Sequence, residues 1–316
     1  MMNWKTLFFS LILLAFTACE KEISIKLNPG SEQLVVEGHI ETNLPPYVIL
    51  TRSTPFFASV SVNDLSKIFV HNALISVTDG INTVFLKEYS SDLLPSYITD
   101  FLSRESGVKI ASAQNQEGIK VSVYLPTDTL FLGQIGRTYS LKIEVEGKQL
   151  TAITSIPQPP ILDSIWVTPH PSIDTLVTLN VRISDPAGVD NFVRYFTQRR
   201  LEPFYPPYFQ SVLDDKSIFD VDGKTFEFPI ERGHNRNSEI NFETFTYFNK
   251  NDTINVRWCA IDREHFDFWS TAEFDKGSGG NPFSSPITIK SNIHGGLGIW
   301  GGYSPVYKRW PYLNNN

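Results

Sequence analysis

The chain has 316 residues, 41% apolar and 19% charged, with 27 basic against 34 acidic side chains and a net charge of −7. That composition is too apolar and aromatic for a disordered chain and too acidic for binding nucleic acid through its phosphates. With only Cys19 and Cys259, the chain is too poor in cysteine for a disulfide framework or a four-thiolate zinc site. At roughly 100–200 residues per domain, the length points to about two domains.

Lys5 and the apolar run Thr6 to Phe16 come first. Eleven residues of helix at about 1.5 Å each fall well short of a hydrocarbon core of about 30 Å, so a signal peptide fits better than a membrane span. Small residues Thr17 and Ala18 then lead into Cys19, and Phe16-Thr17-Ala18-Cys19 resembles a bacterial lipobox. In that chemistry residues 1–18 are removed and the Cys19 thiol is diacylated, usually with a third acyl chain on its amine; at about 0.8 kcal/mol per buried CH₂ this anchors a protein stably. Residues 19–30 then form an acylated tether. Its Glu20-Lys21-Glu22 resembles the acidic signal that sends lipoproteins to the cell surface in the Bacteroidetes, or simply solvates the tether. Loss of Lys5 takes the formal charge to −8. Cys259, inside the apolar string Val256 to Ile261, reads as a small buried hydrophobe.

The next stretch alternates apolar and polar residues between turn signals. Strands are expected at Gln33 to Ile40, Tyr47 to Thr51, Ala73 to Thr78, Thr83 to Lys87, Thr138 to Glu144 and Gln149 to Thr154. Hairpin turns are expected at Asp79 to Asn82 and around Gly147-Lys148. Residues 31–156 are thus read as an N-terminal β-sandwich domain. Pro157, Pro159 and Pro160 mark a linker over 157–160, since prolines cannot sit in a central strand. Residues 161–316 form a second β-rich domain, with strands at Asp163 to Thr168, Thr175 to Ser184, Asn191 to Gln198, Thr225 to Ile230 and Asp252 to Ile261. Asp262 to Phe274 reads as a helix with Phe266, Trp269 and Glu273 on one face and acidic residues at its start. A weaker helical turn is read near Ser96 to Ser103. The expected fold is mostly β, two antiparallel β-sandwich (immunoglobulin-like) domains with one short helix near the C-terminus.

No catalytic residue, metal ligand or cofactor is assigned. Gly296-x-Gly298-x-x-Gly301 matches the dinucleotide fingerprint literally but lacks the following helix and distant acid, so its glycines are read as close approaches or a tight turn. Asp214-Asp215 with Asp220-Val221-Asp222-Gly223 is closer to a solvated loop ending in a turn than to an EF-hand. Arg263, Glu264, His265 and Asp267 are read as helix surface. The region Phe192 to Phe209 is rich in aromatics that look exposed, including Tyr195 and Phe196. Phe204, Tyr205, Tyr208 and Phe209 lie among three prolines and are the candidate ligand- or partner-binding residues, with a hydrophobic plug as the competing reading.

Toward the C-terminus the residues form an ordered string: Gly280-Asn281-Pro282-Phe283, Ser285-Pro286, Ser291-Asn292-Ile293, then Gly295 to Tyr303. With Phe266-Asp267-Phe268-Trp269, Ser184 to Gly188 with Asn191, Pro157 to Pro160 and Val35-Val36-Glu37-Gly38, this resembles a Bacteroidetes lipoprotein family, domain of unknown function 4249. Trp300 stands where the resemblance leads one to expect Phe. That family is commonly encoded beside TonB-dependent receptors. The resemblance therefore implies an outer-membrane, surface-facing lipoprotein that partners such a receptor or binds a small nutrient, with no nucleic-acid partner. A surface hydrolase of glycan or peptide and a structural or adhesive protein are the alternatives.

Overall fold

Alternating burial along short strands builds most of the chain, and the strands are ordered as their turns dictate. The computed structural model describes residues 32–53, 67–106, 109–128, 130–200, 202–215, 222–235, 238–278 and 288–310. The leader, Cys19 and its tether, Asp220-Val221 and Gly280 to Pro286 lie outside the described residues. The protein is mostly β, its strand pairs antiparallel with one exception, and a short helix lies near the C-terminus. Among the described residues no helix is long and apolar enough to cross a membrane.

The first seven strands are β1 (Leu34–Glu41), β2 (Tyr47–Arg52), β3 (Leu74–Thr78), β4 (Thr83–Ser90), β5 (Ser122–Pro126), β6 (Thr138–Val145) and β7 (Lys148–Ser155). The expected Asp79 to Asn82 hairpin joins β3 to β4, with Asp79 Oδ1 accepting the Ile81 and Asn82 N–H groups. The β6–β7 turn falls one residue earlier than expected. Glu146 and Gly147 hold positive φ of 52° and 72°, the geometry of a two-residue hairpin, and Lys148 already pairs with Val145. The turn near Ser96 is a full helix, α1 (Ser96–Ser106).

The remaining strands are β8 (Leu162–Pro169), β9 (Leu176–Ser184), β10 (Phe192–Arg199), β11 (Val212–Asp214), β12 (Thr225–Ile230), β13 (Phe248–Asn249), β14 (Ile254–Ile261) and β15 (Leu297–Trp310), with α2 (Arg263–Ser278) between the last two. One eleven-stranded sheet runs β11-β10-β14-β15-β1-β2-β5-β4-β3-β6-β7. A smaller sheet gathers β8, β12 and β13 around β9.

Strand β15 joins the two halves of the chain. Its residues Leu297 to Tyr303 pair in parallel with β1, and Ser304 to Trp310 pair antiparallel with β14. Of the glycines read as close approaches or a tight turn, Gly296 stands in the bend before β15, while Gly298 and Gly301 are close approaches within the strand, whose missing side chains thin both of its faces. A Cβ on Gly301 would lie 2.4 Å from the His265 ring, and one on Gly302 would lie 2.3 Å from the Ser155 carbonyl oxygen. On the second of these faces Trp300 is fully buried and its indole donates to the Tyr139 carbonyl at 3.0 Å, so β6 and β7 fold back over β1 and β15. Asn292 holds the edge of β15 at the same point. Its Oδ1 accepts the Trp300 N–H at 2.9 Å, and its Nδ2 donates to the Trp300 carbonyl at 2.8 Å and the Ile153 carbonyl at 3.2 Å. One amide thus stands in for a ladder partner.

Strands β10 and β14 are buried on both faces. One face meets β8, β9, β12 and β13 through Val193, Tyr195, Val256 and Trp258. The other meets α2 through Phe192, Phe196, Cys259 and Ile261. Cys259 is buried, as expected. Asp262 starts α2 as its N-cap: Oδ1 accepts the His265 N–H at 2.9 Å, while Oδ2 accepts from Thr154 and Ser155 on β7.

Candidate functional site

The aromatic segment after β10 is pinned at both ends, which fixes what lies between. Tyr205 exchanges two backbone hydrogen bonds with Thr197, each 3.0 Å. Pro207 bridges Gly233, whose N–H donates to Thr197 Oγ1 at 2.6 Å, and the His234 N–H donates to the Pro206 carbonyl. At the far end the Ser211 N–H and hydroxyl both donate to Glu273 of α2, each at 2.6 Å.

Between these pins the four candidate residues separate. Phe204 is buried and packs edge-on against Tyr307, 6.0 Å between centroids. Tyr205 is half-buried in its bridge. Tyr208 and Phe209 are 41% and 42% exposed and lie together, 4.9 Å apart. Phe245 lies 6.0 Å from Tyr208 and 5.6 Å from Phe209, and Phe242, 64% exposed, lies 5.9 Å from Tyr208. Phe242 and Phe245 come from a distant loop that the sequence reading did not single out; the crowding of aromatics in Phe242 to Phe248 was the available signal. Tyr195 and Phe196, which looked exposed, are buried in β10, because that strand is covered on both faces.

His234 supports the cluster from below. Its Nε2 meets the Phe245 carbonyl, which can only accept, so Nε2 carries the proton, and Nδ1 faces an Arg232 nitrogen at 3.4 Å. Burial lowers its pKa, which keeps the ring neutral in this arrangement.

Phe209 also walls a cavity of about 300 Å³ where β10 and β11 face β12. Tyr195, Gln210, Leu213, Phe228, Pro229, Ile230 and Glu231 complete its lining. Glu231 Oε2 is sealed from solvent and has no hydrogen-bond partner among the described residues. Burial raises the pKa of this carboxyl, with no opposing charge to restrain it.

Behind the corner, between α2 and the sheet, lies a junction of buried ions. Arg194 donates to Ser211 Oγ at 3.0 Å and to the Tyr303 hydroxyl at 2.6 Å, and its guanidinium lies 3.5 Å from the Trp269 ring centroid. Arg257 donates to Glu41 at 2.6 Å. Both guanidinium groups lie 4.8 Å from the Phe196 ring centroid, so one ring serves two cations. His265 is buried against Tyr303 rather than on the helix surface as expected, because Gly301 leaves room for its ring. Burial and the nearby Arg194 hold its pKa well below the usual range, so it is neutral.

The acidic turn region is organised by backbone donors. Asp185 Oδ2 accepts the Gly223 N–H, Asp222 the Gly188 N–H and Asp215 the Asn191 N–H. Among the described residues no group of three or more His, Cys, Asp or Glu side chains is arranged to hold a metal ion.

These features define the class: a largely antiparallel β protein with an aromatic corner and an adjoining cavity set over a buried ionic junction. Residues 20–309 match the family described as Domain of unknown function (DUF4249), and the chain belongs to that family. No curated protein matches it.

Proposed function

We propose that this chain is a lipid-anchored outer-membrane protein, facing the cell exterior, that binds a nutrient or a TonB-dependent receptor and assists import. The observation that carries the reading is the exposed aromatic corner of Tyr208, Phe209 and Phe242 on a pinned backbone. Large rigid side chains held in place before contact lose little entropy on binding, the property that concentrates binding energy in a few aromatic anchors. The lipobox at Cys19 and the acidic tether support the location. The resemblance to receptor-associated lipoproteins supports the partner.

Affinity capture from native membranes in gentle detergent tests it. The full chain should recover a β-barrel receptor, and Tyr208→Ser combined with Phe242→Ser should cut that recovery to about a tenth or less, the scale of losing one or two anchors. Recovery of the lipoprotein alone by the unmodified chain counts against a receptor partner.

A further inference from the structure

Three arginines gather where β10 ends. Arg199 closes the strand opposite Ile254, and Arg200 follows with its N–H on the Thr253 carbonyl at 3.0 Å. Arg232 lies just past β12, its N–H on the Thr246 carbonyl at 3.1 Å, and the next residue, Gly233, donates to Thr197 on β10. One carboxylate serves the first two arginines. Asp252, its side chain fully buried, meets Arg199 Nε at 2.7 Å and Arg200 Nε at 3.3 Å. Arg232 has no share in it. Its guanidinium touches the neutral His234 ring at 3.4 Å and is paired with no carboxylate among the described residues. Its other guanidinium nitrogens are open to solvent, unlike the sealed Nε of Arg199. Burial, then Arg199, lower its pKa, and Glu202 and Asp252 offset this only in part, although a guanidinium keeps its charge. Three cations thus face two carboxylates, one of them the exposed Glu202, and one positive charge is left over in a chain whose net charge is −7.

We propose that Arg232, with Arg199 and Arg200 supplying the surrounding field, receives a carboxylate from an acidic segment of a protein partner. The guanidinium fork matches the two oxygens of a carboxylate, and a single unanswered charge suits a monoanion better than a phosphate dianion. The setting is open: the Arg200 side chain is 65% exposed and Arg232 is half-buried. An open ledge suits a side chain carried by another protein, since small free ligands bind where most of their surface is enclosed. The aromatic corner adjoins it through His234, whose ring lies 5.8 Å from Phe245, itself 6.0 Å from Tyr208. This inference rests on the reading of the corner as a partner surface and adds the charge of what docks there.

The test is calorimetric titration of the purified full-length chain with a blocked five-residue peptide that alternates glutamate with phenylalanine, and with its glutamine counterpart, at about pH 7, where glutamate is ionised. In about 50 mM salt the glutamate peptide should bind roughly tenfold tighter, and about 500 mM salt should remove most of that preference. Arg232→Gln should bring the glutamate peptide down to the affinity of the glutamine peptide and leave the latter unchanged. If Arg232→Gln does not fold, the exposed Arg200→Gln takes its place and should reduce the preference. Equal affinity for the two peptides, or a preference untouched by the arginine variant, overturns the acidic partner while leaving the corner as a binding surface. Absence of binding by both also overturns it, and the receptor capture, whose variants leave all three arginines in place, is then decided on its own result.

Discussion

Arg257→Met should destabilise the protein by about 3–5 kcal/mol, the usual cost of stripping the partner from a buried charge. Glu41 and Arg257 lie on neighbouring sides of β15, are almost completely buried and meet at 2.6 Å. Methionine keeps much of the volume, so the loss comes from the stranded carboxylate rather than from a hole. Adding Glu41→Gln to Arg257→Met should recover part of the loss, because no unpaired charge remains. Chemical unfolding of the two variants against the unmodified chain measures both effects. Recovery failing altogether would show that packing of the Arg257 stem, not its charge, carries the energy.

The same pair dictates how stability responds to acid. Burial by itself would raise the Glu41 pKa, but Arg257, helped by His39, brings it down from 4.5 to about 2. A carboxyl whose pKa is depressed by folding stabilises the fold above its unfolded value and loses that contribution as pH falls through the folded value. The expected loss is about 3 kcal/mol between about pH 4.5 and pH 2. In Arg257→Met the dependence should reverse over the same window: a protonated Glu41 needs no cation, so the deficit relative to the unmodified chain should shrink in acid. Unfolding curves at several pH values decide the matter, and a constant deficit would contradict the pairing.

Gly298→Ala is the second large effect. Gly298 has φ of +108°, and a Cβ there would lie 1.9 Å from the Val36 carbonyl oxygen and 2.8 Å and 2.9 Å from its backbone C and N. Those atoms belong to the paired strand β1 and cannot rotate aside. Backbone strain of about 1–3 kcal/mol adds to the cost of prising β15 from β1, so a loss of about 3 kcal/mol or more is expected. Gly147→Ala is the control. It sits at φ +72° with nothing within 4 Å of the added carbon, so only the strain of about 1–2 kcal/mol applies. Similar losses in the two variants would refute the close approach of β1 and β15.

The strands that alternate cleanly, β3, β6 and β7, were legible because one face is wet and the other dry. Strand β15 was not, because its glycines look like turn residues until a helix ring on one face and a strand backbone on the other are known. Nor was β5, five residues long, mostly buried and ending in proline. In β10 the alternation is lost to burial on both sides, which made Tyr195 and Phe196 look like loop aromatics and gave no hint that Arg194 is an interior cation. Tyr208 and Phe209 were legible as a dense aromatic string between prolines. Their companions Phe242 and Phe245 and the carboxylate of Glu231 were not, since only the folded chain brings those loops together.

Strand β15 also sets the order in which the chain can mature. Val35 near the front finds its partner at Leu297, so the β1 edge stays open while everything between them is synthesised. Contacts of such long sequence separation form late and slowly. Until β15 arrives, β1 and β14 present unpaired edges to any neighbouring chain, a recognised route to aggregation. A molecule cut before Leu297 would therefore lose more than a strand: it would leave two sheet edges with open seams, joined only by the linker and by side-chain bonds such as Arg257 to Glu41 and Thr154 to Asp262. The last strand acts as the lock on assembly, and quality control that senses exposed edges would read its absence as incomplete synthesis.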